Sequence, residues 1–110
     1  MQTHGSSCIP LAESKFTSEI AARARTLGFK VWPLNQTRRQ PRQHVEPGVA
    51  DLVMFGHKVT LWVETKVDRN SQSVPQQEFE MSATANGSLY WVIRSMDEFM
   101  LMGKLQRWWR

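Results

Sequence analysis

The sequence predicts an α/β domain: a mixed four-stranded sheet flanked by helices, in the order helix, three strands, helix, strand, helix (αβββαβα). Three observations carry that prediction. Apolar residues recur at helical spacing through Phe16, Ile20, Ala24 and Leu27. Two apolar strand-like runs, residues 50–55 and 59–65, flank a short turn at Gly56-His57-Lys58. Helix-start signals at Ser73 and Ser95 lie on either side of a last apolar run, residues 89–93.

Residues 1–10 are expected to form a flexible leader ending at Pro10, with residues 11–110 making the single folded domain. The first helix occupies residues 11–27, and Gly28 stops it. Residues 29–32 alternate as a short strand that Pro33 ends. Residues 35–47 make a polar, basic loop, unusually long for so small a domain.

In the hairpin, Asp51, Val53 and Phe55 share one face, with Leu52 and Met54 on the other. Apolar groups on both sides mark interior strands covered on each face. Val59, Leu61 and Val63 point to the core, and Trp62, Glu64 and Lys66 lie opposite. A polar loop follows, then a second helix capped by Ser73, with Pro75 in its first turn and Phe79 and Ala83 turned inward. Ser95-x-x-Glu98 reads as a capping box for the last helix, residues 96–105. The first three strands form a meander, and the crossover through the second helix adds the fourth. Whether the two larger helices share a face of the sheet is left open.

At 110 residues the chain has room for one domain, and its 41% hydrophobic content excludes global disorder. No apolar run approaches the roughly eighteen residues that a membrane span needs. The first residues lack a basic patch followed by an apolar segment, so no secretion signal is expected. A single cysteine, Cys8, cannot form an internal disulfide and suits a reducing cytoplasm. The net charge of +4 is unevenly spread: Arg23, Arg25, Lys30, Arg38, Arg39 and Arg42 fall in a stretch with no acid. Lys104, Arg107 and Arg110 surround Trp108-Trp109 at the chain end. Such patches attract a phosphate backbone, and they are also common solvated surface.

The chemistry concentrates between residues 48 and 66. Asp51 opens one apolar run, and Glu64-Thr65-Lys66 closes the next. If the hairpin register sets Asp51 opposite Glu64, two carboxylates and an ammonium meet at one end of it. Glu64 follows the apolar Leu61-Trp62-Val63, and a carboxylate buried there needs a partner or a metal. Hard oxygen ligands suit Mg²⁺ or Mn²⁺. Such an ion lowers the pKa of bound water and neutralises phosphate charge, while Lys66 positions the water or balances that charge. This set points to a metal-dependent nuclease; a solvated strand-end acid beside a solubilising edge is the plainer alternative.

Gln77, one turn into the second helix, is a candidate to reach the lysine, the water or a phosphate, or is a surface glutamine. Glu13 is a candidate for the ion's shell or an acid favourable at a helix start. Glu19 competes with it from a different side of the helix. Arg38 and Arg39 are the leading candidates for gripping the DNA backbone, with Arg42 and His44 weaker. His57 is expected to be solvated at the far end of the hairpin. His4, His57 and Cys8 make no zinc-like spacing. Trp108 and Trp109 either stack on bases or pack under the sheet or at a dimer contact.

Taken in order, these segments resemble the VRR-NUC domain family of the PD-(D/E)xK nuclease superfamily, in its small stand-alone phage and bacterial type. Glu13-x-x-Phe16 with Leu27-Gly28-Phe29 resembles the family's first helix and its exit. Pro47-Gly48-Val49-Ala50-Asp51-Leu52 resembles its Pro-Gly-x-Pro-Asp-Leu segment, and Glu64-Thr65-Lys66 its Glu-x-Lys element. Val74-Pro75-Gln76-Gln77-x-Phe79 resembles its Ser-Pro-Glu-Gln helix start, and residues 91–95 its last core strand.

The resemblance implies a restriction-endonuclease-like core and an Mg²⁺- or Mn²⁺-dependent deoxyribonuclease, an endonuclease. Asp51, Glu64, Lys66 and Gln77 would be catalytic, with Glu13, Asp51 and Glu64 on the metal. The stand-alone kind resembles Holliday junction resolvases, which implies a homodimer acting on branched DNA in the cytoplasm, bacterial or phage-encoded. Ala50 replaces the family's proline before the aspartate, which relaxes the backbone but removes no catalytic atom. The alternatives are a non-cleaving nucleic-acid-binding or nuclease-like accessory protein and a plain assembly protein.

Overall fold

The computed structural model describes residues 4–34, 49–67 and 71–110, with side chains in the first helix described from Ser14 onward. The elements are α1 (His4–Thr26), β1 (Lys30–Pro33), β2 (Leu52–Gly56), β3 (Val59–Thr65), α2 (Val74–Ala85), β4 (Leu89–Ile93) and α3 (Met96–Leu105). Their order is the expected αβββαβα. One boundary differs: the backbone is helical from His4, so residues 4–10 extend α1 instead of leading into it. An internal proline forfeits one helical hydrogen bond and crowds the preceding turn. That is why the sequence points to a stop at Pro10, yet the helix runs through it.

The sheet order is β1-β2-β3-β4. The first two pairings are antiparallel, and β4 joins β3 in parallel, with Val63 beside Trp91 and Glu64 beside Val92. A parallel neighbour needs a crossover, and α2 supplies it. The β2–β3 turn places His57 and Lys58 at φ 51° and 67°. Positive φ at both central residues matches the right-handed twist of the strands. Neither residue favours that conformation, but the turn is anchored: His57 Nε2 and the Leu27 carbonyl oxygen are 2.7 Å apart.

Alternation along the strands divides the helices between the two faces, the point left open by the sequence. Leu52, Met54, Leu61, Val63, Trp91 and Ile93 point to one face and form the core with Ile20, Ala24 and Phe99 of α1 and α3. The opposite face carries Val53, Trp62, Glu64 and Tyr90. There α2 docks by wedging the half-buried Phe79 against Trp62 and Tyr90, with ring centroids 5.1 and 5.8 Å away.

The helix starts refine the expected caps. Ser73 makes a full reciprocal capping box with Gln76. Ser95 accepts the Glu98 N–H, but the Glu98 carboxylate takes the N–H of Arg94 at 2.7 Å, not that of Ser95. The expected Ser95–Glu98 box is therefore shifted by one residue on its return arm.

The terminal tryptophans pack inward. Trp108 stacks on Trp91 at 5.2 Å, and Trp109 lies against Phe99 and donates its indole N–H to the Met100 carbonyl at 3.0 Å. Gly103 makes room for it: a Cβ there would fall 1.8 Å from the Trp109 ring. Gly103→Ala should therefore expel the indole and lower unfolding free energy by about 1–3 kcal/mol, the usual cost of overpacking a filled site. Urea denaturation followed by tryptophan fluorescence measures it, and an unchanged midpoint would contradict this packing.

Candidate active site

The site forms where β3 ends. Glu64 is only 2% exposed although it is ionisable, and a carboxylate taken out of water needs compensation. Its Oε1 accepts the Tyr90 hydroxyl at 2.6 Å and, more weakly, the Gln72 amide at 3.4 Å. Its Oε2 lies 3.4 Å from the Lys66 ammonium, yet receives no hydrogen bond from the described residues. Glu64 and Lys66 stand two apart along the chain, so alternation brings both to the same side.

Asp51 immediately precedes β2. Continuing the β2–β3 register by one step would set it opposite Glu64, but the ladder is irregular there, and the Asp51 N–H donates to the Val63 carbonyl at 3.0 Å. The carboxylate turns to the residue between Glu64 and Lys66: Oδ2 accepts the Thr65 N–H at 2.8 Å and the Thr65 hydroxyl at 2.9 Å. A hydroxyl carries one proton. With that proton on Asp51, the short contact between the Thr17 and Thr65 hydroxyls has Thr17 as donor. The relay Thr17 to Thr65 to Asp51 ties α1, β3 and β2 together. Asp51, Glu64 and Lys66 thus converge on one strand end.

The other expected residues fall differently. Gln77 is exposed, and its amide donates to the Gln72 carbonyl at 3.2 Å. It thereby fastens the segment whose Gln72 side chain meets Glu64. Glu13 lies on α1 one turn before Thr17, and its side chain is outside the described residues. Glu19 is exposed. Arg38, Arg39, Arg42 and His44 lie outside the described residues, as do the side chains of His4 and Cys8. His57 stays at the distal turn, exposed and stacked on Trp108 at 5.8 Å.

Among the described residues no three His, Cys, Asp or Glu side chains gather as a metal cluster. The donor chemistry at β3 nonetheless fits a hard divalent cation. Among the described residues the buried Glu64 Oε2 accepts no hydrogen bond and has only the Lys66 ammonium beside it, and Asp51 brings a second carboxylate to the same strand end. Magnesium is commonly held by one or two carboxylates with water and phosphate completing its shell.

Tyr90, Gln72, Thr65 and Thr17 have no signal in the sequence strong enough to single them out. Tyr90 meets Glu64 only because β4 pairs in parallel at a particular register, which a strand's composition does not encode. Its environment leaves a measurable mark. Burial, then the hydrogen bond to the Glu64 carboxylate, push the phenol well above its ordinary value of 10.0.

The folded state therefore holds a proton that the unfolded chain releases near pH 10. The stability this contributes is fully present below that pH and is lost as pH rises above it. Tyr90 is the one tyrosine of the chain, so absorbance near 295 nm reads it directly. Native protein should show no phenolate through pH ~10, and wild type should lose more stability than Tyr90→Phe above that pH. Ordinary titration in the native protein would contradict the buried hydrogen bond.

No family model and no curated protein sequence matches this chain. Among solved structures it resembles Hjc, a Holliday junction resolvase from the archaeal hyperthermophile Archaeoglobus fulgidus. The TM-score is 0.55 at 17% identity, over 74% of this chain and 67% of that one. At that identity the likeness is one of fold: the mixed four-stranded sheet with its flanking helices matches the resolvase core.

Proposed function

We propose that this protein is a metal-dependent DNA endonuclease that hydrolyses phosphodiesters in branched DNA such as four-way junctions. Within that reading it belongs to the VRR-NUC kind of PD-(D/E)xK nuclease. The observation that carries the reading is a buried carboxylate oxygen, Glu64 Oε2, that takes no hydrogen bond from the described residues and lies beside an ammonium and next to the residue that anchors Asp51. The fold likeness to a Holliday junction resolvase supports the same reading.

Asp51 and Glu64 would hold Mg²⁺ or Mn²⁺, with Glu13 the candidate third carboxylate from α1. Such an ion supplies Lewis-acid polarisation of the phosphoryl group and a more acidic bound water. Lys66, whose side chain is 14% exposed, supplies positive charge at the edge of the buried pair. There it orients water and offsets charge that develops on the phosphate. Gln77 acts through Gln72 by holding the α2 start against Glu64. Arg38, Arg39 and Arg42 contact the DNA backbone in this reading. A homodimer would place two such sites on two strands related by the junction's near-symmetry. No helix among the described residues is long and apolar enough to cross a membrane, and we place the reaction in the cytoplasm, bacterial or phage-encoded.

The Glu64–Lys66 pair also favours a second reading, because an ammonium partner accounts for the buried carboxylate without any ion. That reading is a non-cleaving nucleic-acid-binding or nuclease-like accessory protein. Incubation with labelled four-way junction, flap and linear duplex, with and without Mg²⁺ or Mn²⁺, separates the two. The nuclease should cut the junction in a metal-dependent manner. Lys66→Ala should slow it by about 10²- to 10³-fold, the scale of one lost electrostatic contact in a transition state, and Glu64→Ala should slow it at least as much. Salt-sensitive binding that survives Glu64→Ala, with no scission under either metal, would establish the accessory reading.

A further inference from the structure

We infer that Tyr90 is a positioning residue that fixes the Glu64 carboxylate so that Oε2 alone is offered to a divalent cation. The inference rests on the proposed metal-binding reading of Asp51 and Glu64 and goes beyond it by assigning a role to a residue on another strand.

The two oxygens of Glu64 are treated differently by their surroundings. Oε1 receives a short, charge-assisted bond from the Tyr90 phenol at 2.6 Å and a longer one from Gln72. Oε2 receives none. A glutamate's terminal torsion is broad and exchanges the two oxygens readily unless something pins one of them. The phenol does so, and together with the Gln72 amide it occupies Oε1 with donors. The carboxylate is left with one oxygen to give.

Tyr90 is itself held. It is 7% exposed, and Phe79 of α2 packs on its ring at 5.8 Å while meeting Trp62 edge-on at 5.1 Å. The ring is thus seated by α2, and the parallel register sets Tyr90 beside Trp62, two residues before Glu64 on the same face. A phenylalanine at this position would bury the same ring; only the hydroxyl distinguishes tyrosine, and that hydroxyl donates to Glu64. Partners that orient metal-binding side chains typically contribute about 10- to 100-fold in metal affinity or activity.

The test uses the full chain and its Tyr90→Phe and Glu64→Ala variants. Mn²⁺ binding is followed by the electron paramagnetic resonance signal of the free ion without DNA, alongside the Mn²⁺ dependence of junction cleavage. Tyr90→Phe should weaken Mn²⁺ binding about tenfold and raise the half-saturating Mn²⁺ for cleavage to match, on the scale expected for an orienting partner. Saturating Mn²⁺ should restore the cleavage rate to near that of wild type, and junction binding in EDTA should be unchanged.

Wild-type Mn²⁺ affinity in Tyr90→Phe, with binding abolished in Glu64→Ala, would overturn this inference and leave the metal site standing. Loss of cleavage that saturating Mn²⁺ does not restore, with a lowered melting midpoint, would assign Tyr90 to the core and also overturn it. If Glu64→Ala binds Mn²⁺ as wild type does, the underlying site reading fails first.

Discussion

The end of β3 is organised around one constraint: a carboxylate, Glu64, sits where water cannot solvate it. An isolated buried charge costs several kcal/mol after relaxation, so its neighbours must supply what water would have supplied. Lys66 gives the opposite charge, and Tyr90 and Gln72 give hydrogen bonds. These groups come from β3, β4 and the segment before α2. The seating of α2, the parallel entry of β4 and the end of β3 are therefore not independent features. Moving any one of them leaves a buried acid short of a partner.

The β2–β3 hairpin has two ends of opposite character. At the turn, His57 and the C-terminal tryptophans close an aromatic cluster with Phe29, Trp91 and Phe99. At the open end, polar groups meet: Asp51 bonds Thr65, and Thr17 passes a hydroxyl bond to Thr65 from α1. The apolar end gives the strands a rigid base, and the polar end holds two acids and an amine in fixed directions. Side chains locked by packing and by further hydrogen bonds keep their geometry better than groups on free loops do. The likeness to the Hjc resolvase concerns the scaffold that makes this arrangement possible; the chemistry follows from the side chains placed on it.

The element order was legible because it depends on local signals. Helical spacing at Phe16, Ile20 and Ala24, the turn at residues 56–58 and the caps at Ser73 and Ser95 all act within a few residues. The start of α1 was not legible, because proline's local cost argues for a stop at Pro10 while the helix continues on both sides of it. The Ser95 cap shows the same limit on a smaller scale. The motif names the residues, but the side chain chooses between two neighbouring N–H groups by geometry.

What the sequence determined by itself was the alternation of β3, with Glu64 and Lys66 on one side and the apolar residues on the other, since a strand's side chains change face at every step. It also marked Asp51 as an acid at the mouth of the facing strand. Only the tertiary structure decided which face α2 covers, that Asp51 bonds to Thr65, and that Tyr90 and Gln72 meet Glu64. Those contacts join residues 8, 14 and 26 positions apart. They depend on strand pairing and helix docking, which minimise exposed apolar surface and unpaired polar groups over the whole chain at once, and no local pattern records that result.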